Sequence, residues 1–259
     1  MNKIIRDRVI RNFDNAAETY DKAASVQTRV VDDFISFFPP GEFFRRNSVL
    51  ELGAGTGLLT SRILPFSPSF HLASDISPAL LRINEKKHGA YNQFSTKIAD
   101  MNTADFRRNF DFVISSSTFQ WALDYENLFR NIRRHIVKGG ELIFSIFTAG
   151  TLREIREACL VSDIPFPGQH LSSKEEIIRI LSISGLEVLH SETKSYTDSY
   201  STVREMLASL KKTGTFAAGS KVLSIGELKK MLSSLEKQFE EKNSASLSYE
   251  SVFFRCRKT

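Results

Sequence analysis

Three glycines at alternate positions, Gly53, Gly55 and Gly57, follow directly on the apolar run Ser48-Val49-Leu50-Glu51-Leu52, and Leu58 to Leu64 then reads as a helix. A strand that enters a glycine-rich turn and leaves as a helix confines the chain to a few α/β architectures. Glycine has no Cβ and tolerates positive φ, so the backbone of such a turn can come close to a ligand. The spacing narrows the choice. A dinucleotide fingerprint would place its third glycine at Leu58, whereas here it falls at Gly57. Glu51, two positions before the first glycine, suits a cationic ligand better than a pyrophosphate. On its own the turn could still be plain structure.

Its surroundings decide the matter. Asp75 stands 24 positions beyond Glu51, at the end of the run Phe70-His71-Leu72-Ala73-Ser74. An acid ending the second strand of a doubly wound sheet accepts hydrogen bonds from ribose hydroxyls. Ile76 follows it, then Ser77-Pro78, the cap and first turn of a helix. Phe94 to Ala99 reads as a third strand closed by Asp100-Met101, where an acid can accept from an adenine amino group while its neighbour packs on the purine. Glycine turn, acid and acid, in that order on three strand ends, point to a nucleoside. With Glu51 present, the nucleoside expected is S-adenosylmethionine, which carries a sulfonium and an amino-acid tail.

Strands and helices alternate through the middle of the chain. The strands expected are Val49–Leu52, Phe70–Ser74, Phe94–Ala99, Phe110–Ser115 and Glu141–Phe147, the last entered through Gly139-Gly140. Short apolar runs separated by helices indicate a parallel sheet buried on both faces. Before them, residues 1–38 are helical in period, with Val26, Val30, Phe34 and Phe38 on one stripe, and Pro39-Pro40-Gly41 ends the pattern. After them, Ser172 and Glu175 suggest a capping box, Leu186–Lys194 and Leu247–Cys256 alternate as two later strands, and a second capping box stands at Ser224 and Glu227. The fold expected is α/β: a doubly wound, mostly parallel seven-stranded sheet, Rossmann-like, with amino-terminal helices and a helical insertion before the last strand. The division expected is residues 1–44 as a segment covering the cofactor and 45–259 as the main domain, with 200–245 a helical lid.

Bulk properties exclude other classes. The 259 residues are ample for a full core, and 41% hydrophobic with 25% charged residues is ordinary for a globular chain. No apolar run matches a signal peptide or a bilayer span, so no membrane association is expected. Cys159 and Cys256 form no disulfide framework and the five histidines are scattered singly, which indicates a reducing cytoplasm and no zinc site. The net charge of +5 comes from pairs such as Arg45-Arg46 and Lys211-Lys212, a field able to steer an acidic partner.

On these residues the chain resembles the class I S-adenosylmethionine-dependent methyltransferases. Glu51, Gly53, Gly55, Gly57, Asp75 and Asp100 stand at that superfamily's cofactor positions. A narrower resemblance runs through nearly the whole chain. Phe13-Asp14-Asn15-Ala16-Ala17-Glu18-Thr19-Tyr20-Asp21 with Val26-Gln27, Ser115-Ser116-Ser117-Thr118-Phe119-Gln120-Trp121, Ser209-Leu210-Lys211-Lys212-Thr213-Gly214 and Leu247-Ser248-Tyr249 are similar to segments of the malonyl-[acyl-carrier protein] O-methyltransferases. Glu51 departs from an Asp common in that family, and Ser116 from an Asn.

The resemblance implies roles. Gly53, Gly55 and Gly57 admit the cofactor, Glu51 holds its cationic end, Asp75 with Ile76 takes the ribose, and Asp100 with Met101 takes the adenine. Ser115 and Ser116 present carbonyls to the amino group, and Tyr20 and Gln27 close over it. Gln120 and Trp121 face the substrate, with Arg204, Lys211 or Lys212 pairing its carboxylate. No residue is expected to act as a general base. The partner implied is an acidic acyl-carrier protein bearing a malonyl thioester, met by a monomer. The lack of an Asn/Asp-Pro-Pro-aromatic turn after the fourth strand argues against nucleic acid as substrate. A methyltransferase of free carboxylic acids and a non-catalytic S-adenosylmethionine-binding module stay open as alternatives.

Overall fold

A computed structural model describes residues 3–38, 44–122, 124–212, 223–242 and 245–259. The expected stop at Pro39-Pro40-Gly41, and Thr213-Gly214, lie outside the described residues. Seven strands form one sheet: β1 (Ser48–Leu52), β2 (Phe70–Asp75), β3 (Phe94–Ile98), β4 (Phe110–Ser116), β5 (Ile136–Phe147), β6 (Leu186–Tyr200) and β7 (Ala245–Lys258), in the order β3-β2-β1-β4-β5-β7-β6. The first five run parallel, and β7 is antiparallel to both β5 and β6. The chain winds outward from β1 through β2 to β3, then returns to lay β4 on the other side of β1. This reversal opens a crevice at the carboxyl ends of β1 and β4, where doubly wound sheets take their ligands.

The central strands β1 and β4, and β5 beyond its bulge, are buried on both faces, whereas the edge strands β3 and β6 are more polar and partly exposed. Leu50, Leu52, Val113, Leu142 and Phe144 point to one side and meet α5 (Tyr125–Arg134) and α7 (Lys174–Ile183) through Leu128, Phe129, Ile177 and Leu181. Val49, Phe112, Ile114 and Ile143 alternate to the other side, onto Val26, Val30 and Phe34 of α2 (Ser25–Phe37). A third cluster joins α6 (Arg153–Val161), α8 (Val203–Lys212), α9 (Ile225–Lys242) and the start of β7, so the helical insertion has apolar packing of its own.

Several boundaries differ from those the sequence suggested, each for a tertiary reason. The amino-terminal helical stretch is two helices, α1 (Lys3–Ala23) and α2, broken at Ala24, whose ψ of 44° is not helical. Here α2 lies on the sheet while α1 packs on α4 (Pro78–His88) and α8, and one straight helix could not do both. After the glycine turn only Thr60–Ile63 is α-helical (α3), and Leu64–Phe66 tightens into a 3₁₀ turn around Pro65. β5 begins at Ile136, before the glycines: Phe110 pairs with Ile136 and Phe112 with Glu141, so Gly139-Gly140 form a bulge within the strand. β6 extends to Tyr200, pairing with β7 past the end of β5 as a two-stranded arm that carries α8 and α9. The cap of α7 is Ser173, accepting from the Glu176 N–H at 3.2 Å, one position later than read. The capping box at Ser224 and Glu227 forms as expected, with 2.7 and 3.3 Å bonds in both directions.

Candidate active site

The crevice at the switch point is a pocket of about 950 Å³, counting the solvent at its mouth. That size suits a small organic ligand. Four strand ends form its floor and walls, and α1 with α2 forms its roof.

The three glycines have three different physical reasons. A Cβ on Gly53 would fall 2.1 Å from Thr118 Cγ2, because the loop after β4 crosses tightly there and Thr118 donates its hydroxyl to the Gly53 carbonyl. Gly57 faces α4, where a Cβ would sit 2.6 Å from Asn84 Oδ1 and 2.8 Å from His88 Cε1. A Cβ at Gly55 would meet, among the described residues, only Leu80 Cδ1 at 4.0 Å, so the space in front of it belongs to the pocket. Its φ of +52° disfavours a side chain there all the same. Gly53 and Gly55 line the pocket, and Gly57 lies behind the wall.

Asp75 stands at the centre. Its Oδ2 accepts the Gly55 N–H at 2.8 Å and its Oδ1 the Ser77 N–H at 2.8 Å, tying the glycine turn, the end of β2 and the start of α4 into one unit. Burial pushes its pKa up to about 6, and the charge of Glu51 adds to the rise, against the lowering effect of the amides of Ser77, Gly55 and Ile76. Glu51, 1% exposed, accepts from Thr60 Oγ1 and His71 Nε2, each at 2.8 Å. Among the described residues neither Glu51 nor Asp75 has a lysine or arginine partner. Asp100 differs. Burial pulls its pKa up, but the amide and side chain of Asn102, at 2.9 and 2.7 Å, and Arg6, at 3.0 Å, hold it below the ordinary carboxylate range.

The roof is latched at three strand ends. Arg6 of α1 reaches Asp100 after β3. Asp14 accepts from Ser77 Oγ at 2.6 Å and from the Ala79 N–H at 3.2 Å, at the amino end of α4. Asp21 accepts from Thr56 in the glycine turn and from Lys87 Nζ at 2.6 Å. Between these latches Val9, Phe13 and Tyr20 line the pocket. Phe13 packs edge-on to Trp121, with ring centroids 5.5 Å apart, and more loosely to Tyr20 at 6.4 Å. Burial, with the charges of Asp75 and Asp21, raises the Tyr20 pKa, so the phenol keeps its proton and can donate.

Of the residues singled out in the sequence, Tyr20, Gln27, Glu51, Gly53, Gly55, Asp75, Ile76, Asp100, Met101, Ser116 and Trp121 come together on this wall. Others lie off it. Ser115 is wholly buried and donates its hydroxyl to the Leu52 carbonyl. Gln120 turns inward, with Nε2 donating to the Ser117 carbonyl at 2.6 Å. Arg204, Lys211 and Lys212 are exposed on α8 and line none of the pocket. Arg6 carries no role at the level of sequence, and Phe13, Asp14, Ser117 and Thr118 stand in the resembling segments without one. A signal for the α1 set was present: Arg6, Phe13 and Tyr20, and again Asp14 and Asp21, recur every seven residues, which puts each series on one helix face.

Two floor acids, Glu51 and Asp75, without a lysine or arginine partner among the described residues, an open glycine edge and an aromatic roof favour a ligand that brings positive charge, hydroxyl donors and a flat ring. Comparison with known proteins places the chain in a family. Residues 22–191 match the model of a family described as methyltransferase domain. A malonyl-[acyl-carrier protein] O-methyltransferase from Bacillus cereus is 27% identical over 261 residues, spanning 96% of each chain. Phosphoethanolamine N-methyltransferase 2 of Haemonchus contortus, solved with S-adenosylhomocysteine, shares the fold at a TM-score of 0.61 and 18% identity, covering 98% of this chain and 60% of that one. An S-adenosylmethionine-dependent methyltransferase from Mesorhizobium loti does so at a TM-score of 0.55 and 14% identity, covering 88% and 96%. With its family model spanning well over half of its length, the chain belongs to the methyltransferase domain family.

Proposed function

We propose that this enzyme transfers a methyl group from S-adenosylmethionine to the free carboxylate of a malonyl thioester borne by an acidic acyl-carrier protein, an early step of biotin synthesis. The donor reading rests on one observation above all: two buried acids, Glu51 and Asp75, share a pocket in which, among the described residues, no lysine or arginine neutralises either. A sulfonium and an ammonium would supply that charge, and ribose hydroxyls can donate to Asp75, whose oxygens keep lone pairs after the Gly55 and Ser77 amides are bound. Asp100 and Met101 would take the adenine, and residues 1–44 would cover the donor. The acceptor reading is supported by similarity across 96% of the chain to the Bacillus cereus protein.

When bound, the donor supplies an electrophilic methyl carbon on a sulfonium. A malonyl carboxylate is already ionised at neutral pH, its pKa being close to that of Asp or Glu, so no side chain must remove a proton. The protein's work is then to hold the two reactants in line, where effective molarities reach ~10⁵ M, about 7 kcal/mol. Tyr20 and Gln27 orient the donor, while Phe13 and Trp121 exclude water from the reacting face. The helices within 200–245 would act as a lid over the acceptor.

Incubation with methyl-labelled donor and malonyl-loaded carrier tests the proposal. We expect a base-labile methyl ester on the carrier, formed at a rate that falls steeply with salt. Ester on free malonate but not on the carrier would favour the small-acid reading. Tight donor binding without transfer to either would favour a binding module.

A further inference from the structure

His71 lies on β2 opposite Val49 of β1, 0% exposed, with its ring edge against Phe94. Histidine in a sheet core is usually packing. Here its Nε2 is 2.8 Å from Glu51 Oε2, and its Nδ1 is buried without a partner among the described residues. A proton on Nδ1 would have no acceptor, so the proton sits on Nε2 and the ring donates to Glu51. Thr60 Oγ1 donates to the same Oε2 at 2.8 Å, and is itself held by Asn84 Nδ2 at 3.1 Å. Asn84 Oδ1 in turn lies 2.9 Å from His88 Nδ1. Two donors pin one oxygen of the Glu51 carboxylate. Oε1 receives no donor among the described residues, and Glu51 lines the pocket. It is the oxygen left for a ligand.

We propose that His71 is a positioning residue for the methyl donor's amino-acid tail: it fixes the Glu51 carboxylate so that Oε1 meets the ammonium. The proposal rests on the reading of the pocket as an S-adenosylmethionine site. It separates Glu51, which reads the charged tail, from Asp75 and Asp100, which read the nucleoside. His71 touches no ligand and acts only through Glu51.

Two ligands that differ in the tail make the test. Binding of S-adenosylhomocysteine and of 5′-methylthioadenosine, which keeps the nucleoside and lacks the amino acid, is measured by calorimetry. The proteins are the wild type, H71N, H71Q and E51Q. A glutamine amide reaches the place of Nε2, whereas an asparagine amide stops short of it. We expect H71N to weaken S-adenosylhomocysteine by about tenfold and methylthioadenosine by less than about threefold. H71Q should restore the first to within about threefold of wild type. E51Q should show the same selective loss, and H71N added to E51Q should leave the ratio of the two affinities unchanged, because the residue it acts through is already disabled. General loosening of the fold lowers both affinities together, so equal losses on the two ligands, or no loss on either, overturn the role of His71. Failure of the wild type to bind either ligand overturns the donor reading itself and the proposal with it.

Discussion

Gly55 donates its backbone N–H to Asp75 Oδ2 at 2.8 Å, joining the turn after β1 to the acid that ends β2. The bond explains why a glycine turn and an acid 20 residues apart form one device. The turn's amide holds the carboxylate in place, and the carboxylate holds the turn open toward the pocket.

Asp75 is buried at a cost that the ligand-free protein bears. Its folded pKa of about 6 lies above its ordinary value of 3.8, so the folded chain holds this proton more tightly than the unfolded one. That stabilisation is complete below about pH 4 and is lost as pH rises through about 6. We expect D75N, which keeps a neutral side chain, to gain stability over wild type as pH rises from 4 to 7.5, by up to about 3 kcal/mol. Urea unfolding of both proteins at several pH values measures it, and a difference that shrinks with rising pH contradicts it. The same substitution should weaken S-adenosylhomocysteine by at least about 1 kcal/mol.

The glycines separate packing from binding. Alanine at Gly57 meets Asn84 and His88 inside 3 Å on a backbone with φ +91°, so G57A should lower the melting temperature more than G55A. Alanine at Gly55 meets no side chain closer than 4.0 Å among the described residues. G55A should cost about 1 kcal/mol of backbone strain and a larger loss of donor affinity. Thermal melts with and without S-adenosylhomocysteine distinguish the two. Equal melting losses and unchanged affinity for G55A would remove the pocket role.

Much of this site was legible because its parts are local. Ser77 caps α4, accepting from Leu80 at 3.2 Å, and the run from β1 into the glycine turn needs only neighbouring residues to be recognised. What was not legible depends on distant partners. Gln120 looks like a substrate-facing polar residue until the Ser117 carbonyl is found beside it. The break at Ala24 carries no proline or glycine, and follows from α1 and α2 packing on different surfaces. Arg204, Lys211 and Lys212 gave a charge pattern, but charge alone does not say which face a helix turns to solvent.

The roof should loosen when its best-placed latch is cut. Asp14 sits on the amino end of α4 with two donors, at 2.6 and 3.2 Å, so D14A should cost about 1 kcal/mol and speed amide exchange in α1. The Arg6–Asp100 pair has an arginine 40% exposed, and R6A should cost less than about 1 kcal/mol. Hydrogen exchange with mass readout checks both, and faster exchange in α1 for R6A than for D14A contradicts the ranking.

Trp121 meets Phe13 of the roof across the pocket. W121A should reduce methyl transfer by at least about tenfold while S-adenosylhomocysteine affinity changes by less than about threefold. Steady-state kinetics and calorimetry on one preparation decide it, and a loss confined to affinity would place Trp121 on the donor side.

The central claim is that the acidic pocket under α1 takes S-adenosylmethionine. Equilibrium dialysis of the purified chain against methyl-labelled donor tests it most directly. We expect one equivalent bound per chain, displaced by S-adenosylhomocysteine and weakened by D75N. Retention no greater than for an unrelated protein would contradict it.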